Sequence, residues 1–113
     1  GASVTAQTDT DTSNSGSVTL DYAANQNFVL TMTGNVTLAN PTTEVVGQSG
    51  FITFIQDGTG SRVLSVGSQY FCAGGSVIVL STAANSIDIV PYVVIAAGKI
   101  CLGAPQLAFA DAS

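Results

Sequence analysis

Residues 51–66 read "FITFIQDGTGSRVLSV", two apolar runs separated by a polar, glycine-bearing segment. The middle of it holds two glycines and the only arginine of the chain, the residue types of a loop that cradles a phosphate. A phosphate loop of that kind needs a lysine and a following helix, whose N-terminal amides do the binding. Here strand-like "VLSV" follows, no lysine is present, and Asp57 brings negative charge to the same place. Asp57-Gly58 with Gly60 is instead a hairpin signal, because glycine reaches positive φ without a Cβ clash. The reading favours a β-hairpin over residues 51–66, with Asp57 and Arg62 flanking the turn and able to pair.

Strand patterns extend in both directions from there. "SVTLDY" alternates Val18, Leu20 and Tyr22 against Ser17, Thr19 and Asp21, and "NFVLTMT" alternates Phe28, Leu30 and Met32 against Val29, Thr31 and Thr33. Period two is the mark of a strand with one buried face. Gly34-Asn35 then suggests a tight turn before "VTLAN". "FITFIQ" is apolar on both faces, as for a strand covered on two sides. "SVIVLS" at 76–81 is a β-branched run, and "SIDIVPYVVIAAGKICL" at 86–102 is interrupted by Pro91, which suggests an edge strand or a bulge. "TAAN" at 82–85 supports at most one helical turn. About eight or nine strands result, with no amphipathic helix. They predict an all-β fold: an antiparallel β-sandwich or a jelly-roll-like barrel with an extended N-terminal arm. The arm covers 1–15, the sandwich 16–102 and a C-terminal tail 103–113. The tail either anchors on a neighbour or folds back on its own domain.

The composition limits what such a domain does. Of 113 residues, 46% are hydrophobic and 8% charged, against a usual charged share of about 25%. Surface apolar and uncharged polar groups on that scale suit a subunit whose neighbours cover part of it. Seven acids against Lys99 and Arg62 give a net charge of −5, which lacks the basic footprint of direct nucleic-acid binding. No apolar stretch is long enough for a membrane-spanning helix, and the first residues lack the pattern of a signal peptide. Residues 1–17, rich in Thr, Ser, Asp and Asn, read as an arm that gains order by lying on another surface.

Catalytic constellations are hard to assemble. There is no histidine, which excludes Ser-His-Asp and Cys-His catalysis. Asp9 and Asp11 lack the further oxygen ligands and fixed glycine of an EF-hand loop. Asp21 and Asp88 would do acid–base work only if the fold brought them into one cleft. Cys72 and Cys101 match no metal-ligand spacing; they are either buried free thiols or a disulfide between neighbouring strands. Asn35-Val36-Thr37 fits a glycosylation acceptor, a frequent chance match. No cofactor or metal is implied, and an enzyme is not expected.

The series "SVTLDYAANQNFVLTMTGNVTLANP" (17–41), "GQSGFITFIQDGTGSR" (47–62), "GSQYFCAGG" (67–75) and "LSTAANSIDIVPYVV" (80–94) resembles a β-domain of tailed-bacteriophage structural proteins, found in tail fibres and other virion surface proteins. The likeness spans about residues 16–102. It departs after Gly74-Gly75, where such domains tend to carry a proline-containing stretch and this chain has "SVIVL". The resemblance implies a noncatalytic virion component, usually a homotrimer. Because the sequence runs as a short chain with a polar arm, the expectation is a capsid decoration (cement) protein on the outer shell, with the major capsid protein as partner. A tail-fibre or tail-tip subunit is the alternative, and a glycan-binding module is an alternative of another class. Val4, Thr5, Asp9 and Asp11 of the arm are the candidate capsid contacts, and Arg62 is the candidate subunit contact.

Overall fold

A computed structural model describes residues 6–113. Val4 and Thr5 lie outside the described residues. The strands are β1 (Thr8–Val18), β2 (Asn27–Leu38), β3 (Ser49–Gln56), β4 (Leu64–Val66), β5 (Tyr70–Cys72), β6 (Ile87–Ala96), β7 (Lys99–Leu102) and β8 (Gln106–Phe109), with one 3-10 turn at Ala73–Gly75. They form an eight-stranded sheet in the order β1-β2-β3-β6-β7-β5, with β4 added to β2 and β8 to β6. The fold is all-β, as the alternation predicts. Its pairing is mixed: β1, β2 and β3 run parallel, whereas β6 is antiparallel to β3, β7 and β8.

Parallel neighbours need a crossover, and the crossovers supply the roof of the core. Segment 19–26 buries Leu20 and Tyr22, and segment 39–48 buries Pro41. Beneath them lie the inward residues of the sheet: Phe28, Leu30, Met32, Val36 and Leu38 of β2, Ile52 and Phe54 of β3, and Val90, Tyr92 and Val94 of β6. Ile78 and Leu80 enter from the extended segment after the 3-10 turn. Tyr22 stands edge-on to Phe28 and Tyr92, with centroids 5.1 and 5.3 Å away, and its hydroxyl meets that of Tyr70 at 2.8 Å. The aromatic bodies fill the core while their hydroxyls satisfy one another or nearby backbone.

Two expected turns are absent. β2 runs unbroken through Gly34-Asn35, and its inward residues keep even spacing from Phe28 to Leu38. Gly34 serves a close approach: a Cβ there would meet Ser15 Oγ at 2.5 Å. The opposite strand is irregular at this point, with register shifts on either side of Asn14 and Gly16 at φ 72°. Nor does residue 51–66 form a hairpin, since β3 and β4 run in the same direction along one edge of β2. Met32 faces Gln56 and Val36 faces Leu64, so the segment between them is a loop thrown out of a single strand course. The turn chemistry is present, but the chain leaves the ladder and returns to it instead of reversing.

The termini also fold onto the domain. Segment 8–18, of which 8–15 is expected from the sequence to be part of an arm lying on another surface, is extended and pairs with β2 of its own chain. Its polar side chains alternate without a buried face because almost all of β1 is exposed on both sides. The C-terminal tail takes the fold-back alternative, as β8 on β6. Pro91 marks neither the edge strand nor the bulge that the sequence suggests, since β6 is interior to the sheet and its register with β3 is unbroken through Phe51 and Pro91. The proline is tolerated because its carbonyl accepts Gly103 N–H at 2.8 Å on the side where β7 has ended and β8 has not begun. A Cβ at Gly103 would meet Pro91 Cγ at 2.7 Å. Buried Asp88 ties the region together, accepting Ser81 N–H at 2.6 Å on one oxygen and Ala108 N–H at 2.8 Å on the other.

Burial holds all three tyrosines above the ordinary phenol range, Tyr70 up to about 12 and Tyr22 further still. A raised folded-state value leaves stability intact below the unfolded value near 10 and removes it as pH rises through the folded one. Ultraviolet titration of the folded protein should therefore show the tyrosines ionising above the ordinary value near 10, with Tyr22 last. Phenolate should appear only at higher pH, together with loss of near-ultraviolet circular dichroism. A normal tyrosine transition in a protein that keeps its fold would contradict the packed aromatic core.

Candidate functional site

The loop at 57–63 is built from the side chains at its own base. Gln56 is inward and buried; its Nε2 donates to the carbonyls of Arg62 (2.8 Å) and Ser81 (3.0 Å), while its Oε1 accepts Arg62 N–H at 3.0 Å. One amide side chain thus closes the neck of the loop and fixes it to segment 81–86. Asp57 organises the interior: Oδ1 accepts Thr59 and Gly60 N–H at 3.1 and 3.0 Å, and Oδ2 pairs with Arg62 Nη2 at 2.9 Å. The amides and guanidinium that suggest a phosphate site are therefore occupied by the loop's own carboxylate. Hydrogen bonding from Arg62 holds the Asp57 carboxyl below its usual range, helped by the two amides.

The loop also packs against "STAAN". Ser61, at φ 62°, donates its N–H to Thr82 O at 2.8 Å, and Asn85 N–H reaches Asp57 O at 3.0 Å. Gly60 has φ +74°, and a Cβ on it would lie 2.6 Å from Thr82 O and 2.8 Å from Ala84 N. Two sequence blocks that are distant in the chain are thus one interlocked unit.

The other singled-out residues do not gather. Asp9 and Asp11 sit on exposed β1, across from Phe28 and Leu30 of β2, while Arg62 lies in the loop beyond β3. Asp21 accepts Ala23 and Ala24 N–H in its own turn, and Asp88 is spent on Ser81 and Ala108, so the two share no partner. Among the described residues no group of three or more His, Cys, Asp or Glu is placed to hold a metal. Cys101 faces Phe71 across β5–β7, and Cys72 faces Leu102, which puts the two sulfurs on opposite faces of the sheet. Both are free thiols.

What remains is surface. Phe51, Val93 and Ile95 point outward from β3 and β6, and Phe71 from β5, each at least 40% exposed. "FITFIQ" is thus apolar on both faces although, among the described residues, nothing covers the outer one. All three tyrosines are buried, so none offers a platform for a sugar. Sequence reading missed Gln56, and it considered Asp88 only as an acid–base candidate, because the structural role of a polar residue at an inward strand position shows only once its backbone partners are known.

Among known proteins, a family described as "Putative phage tail fibre C-terminal domain" matches residues 15–100. The chain belongs to this family. The tail-fibre match begins within β1 and runs into β7, so it takes in the whole Gln56–Asp57 loop unit and the segment on which it rests. No curated protein and no solved structure matches the chain. The domain is a phage virion structural domain, and among the described residues no helix is long and apolar enough to cross a membrane.

Gly60→Ala should cost about 1–3 kcal/mol, since it adds a strained left-handed residue and a contact with rigid backbone. Gly58→Ala, with open space around its Cβ, is the matched control and should be near neutral; equal thermal stability of the two variants would contradict the interlock. The Gly60 amide resonance should follow Asp57 with a midpoint below 3.8. Because the folded value is lowered, the loop's contribution is present at neutral pH and lost as pH falls through that midpoint. A midpoint at or above 3.8 would mean that the Asp57–Arg62 pair does not form in solution.

Proposed function

We propose that the protein is a noncatalytic β-domain of a phage tail fibre, acting as a self-associating structural module rather than an enzyme. The observation that carries this reading is the family match over residues 15–100. Two structural features support it. Among the described residues, every buried polar side chain (Asn14, Gln56 and Asp88) is engaged in holding backbone. The exposed apolar residues Phe51, Phe71, Val93 and Ile95 give an outer face suited to contact with other copies. A homotrimer is the assembly proposed, by closed symmetry of one repeated contact.

The capsid-decoration reading expected from the sequence draws no support from the match, which bears on its tail-fibre alternative. The ordering of segment 8–18 on its own sheet also removes one reason for it, since that stretch needs no capsid surface to become ordered. The major capsid protein is accordingly not proposed as partner. A glycan-binding role loses its tyrosine platforms to the core.

The test is location. Gold-labelled antibody to this domain should decorate the tails of virions in electron micrographs and leave the shells bare. Particles lacking the domain should lose adsorption while their capsids keep normal resistance to heat and osmotic shock. Label on the shell together with fragile capsids would overturn the tail reading in favour of decoration. Sedimentation of the isolated protein should give three times the mass of one chain; a monomer at all concentrations would remove the trimer.

A further inference from the structure

Segment 76–82, "SVIVLST", is strongly β-forming, yet it belongs to no strand. It is anchored by Ile78 and Leu80, which are buried, while Val77 and Val79 point out, Val79 at 78% exposed. Ser81 N–H is taken by Asp88 and Ser81 O by Gln56. Among the described residues, the N–H and C=O groups of Val77, Ile78, Val79 and Leu80 make no hydrogen bond. Main-chain groups beside buried apolar side chains carry a standing demand for partners, and an extended, unpaired, β-branched edge is a template for another strand.

One of the two cations of the chain, Arg62, lies beside this edge. A groove along it is lined by Arg62, Val63 and Leu64 together with Val77–Leu80 and Thr82, and the adjoining cleft by Tyr70, Phe71, Cys72 and Val77. Arg62 spends Nε and Nη2 on Asp57, which leaves Nη1. Lys99 Nζ stands 6.0 Å from the centre of the Phe71 ring. No carboxylate lines either groove. The complementary feature is at the far end of the strand order. β1 is terminal, paired only to β2, eleven residues long, and it carries exposed Asp9 and Asp11, neither in a salt bridge among the described residues.

We propose that the open edge of β1 in one copy pairs with segment 77–80 of a second copy, so that the sheet of one subunit gains this segment of the next as a further strand. The inference rests on the self-association proposed above and names the surfaces that produce it. Main-chain hydrogen bonds supply the pairing, Val77 and Val79 are covered, and the acidic strand comes within reach of the free Nη1 of Arg62. The contact is head-to-tail: each copy offers one edge of each kind, and the repeat closes when the rotation brings the last copy back to the first.

The test uses the natural chain first. Amide hydrogen exchange at 77–80 should slow at least about tenfold on going from dilute monomer to assembled protein, with matching protection along β1. A second measurement uses cysteine pairs in a Cys72→Ala, Cys101→Ser background. Copies carrying Val79→Cys are mixed with copies carrying Thr8→Cys, Thr10→Cys or Thr12→Cys. Oxidation should yield a mixed cross-linked dimer with one of the three, and none from the Val79→Cys copies alone. Assembly with unchanged exchange at 77–80 would overturn this interface while leaving self-association standing. Val79→Cys copies that cross-link to one another would replace it with a symmetric pairing of 77–80 edges. A chain that stays monomeric at every concentration would overturn both.

Discussion

The sheet depends on the period of β2. Its inward residues Phe28, Leu30, Met32, Val36 and Leu38 are all buried, so the strand cannot slip by one residue without turning the core outward. Both of its neighbours must accommodate that rule. On one side, Met32 faces Gln56 and Val36 faces Leu64; the β3–β4 course holds four residues more than β2 over this span, an even number. Parity is preserved, and Leu64 points inward as Ile52 and Phe54 do. On the other side β1 falls out of phase by an odd step, since Thr8 faces Asn27 while Gly16 faces Val36. It can do so because β1 has no buried face to protect. Asn14, the one buried residue of β1, fills the irregularity by donating to the carbonyls of Asp11 and Thr31 at 3.0 and 3.1 Å.

This constraint explains which parts of the fold were legible. Alternation at 28–32 identifies a strand because one face of it is buried, and the apolar runs at 51–55 and 87–94 mark two more; both signals depend only on local sequence. Direction of pairing does not. Gly34-Asn35 and Asp57-Gly58 carry the residue types of hairpins, yet Gly34 admits Ser15 and Asp57 binds the amides of its own loop. A glycine needed for close approach and a glycine needed for reversal look the same in sequence. The distinguishing signal was the even spacing from Met32 to Val36, which a reversing turn has no reason to keep. The segment 8–18 was illegible for the opposite reason: a strand with two wet faces has no periodicity to show.

The loop shows the same division. The Asp57–Arg62 pair could be anticipated from flanking positions, and it forms at 2.9 Å. An exposed pair alone adds little, about 0–1 kcal/mol, so the pair does not explain why the loop is fixed. Gln56 does, because three hydrogen bonds to backbone join the neck of the loop to Ser81. Breaking a buried amide's bonds leaves both it and its backbone partners unsatisfied, at about 1–3 kcal/mol for each orphaned group.

Asn14, Gln56 and Asp88 are the buried polar residues of the described core, and all three serve main-chain groups at places where the ladder is interrupted. Asn14 mends β1, Gln56 closes the β3–β4 excursion, and Asp88 binds segment 81 to β8. Such residues are committed by the fold: each oxygen or nitrogen spent on a fixed amide or carbonyl is unavailable to a ligand without loss of that repair. Variation that leaves the domain folded is therefore confined to the outer face of the sheet, the loop surfaces and the strand edges. In a chain with only two cations, charge can guide recognition there at few points. Shape and unpaired main chain carry the rest, and both are concentrated where the strand order ends and where "SVIVL" lies without a partner.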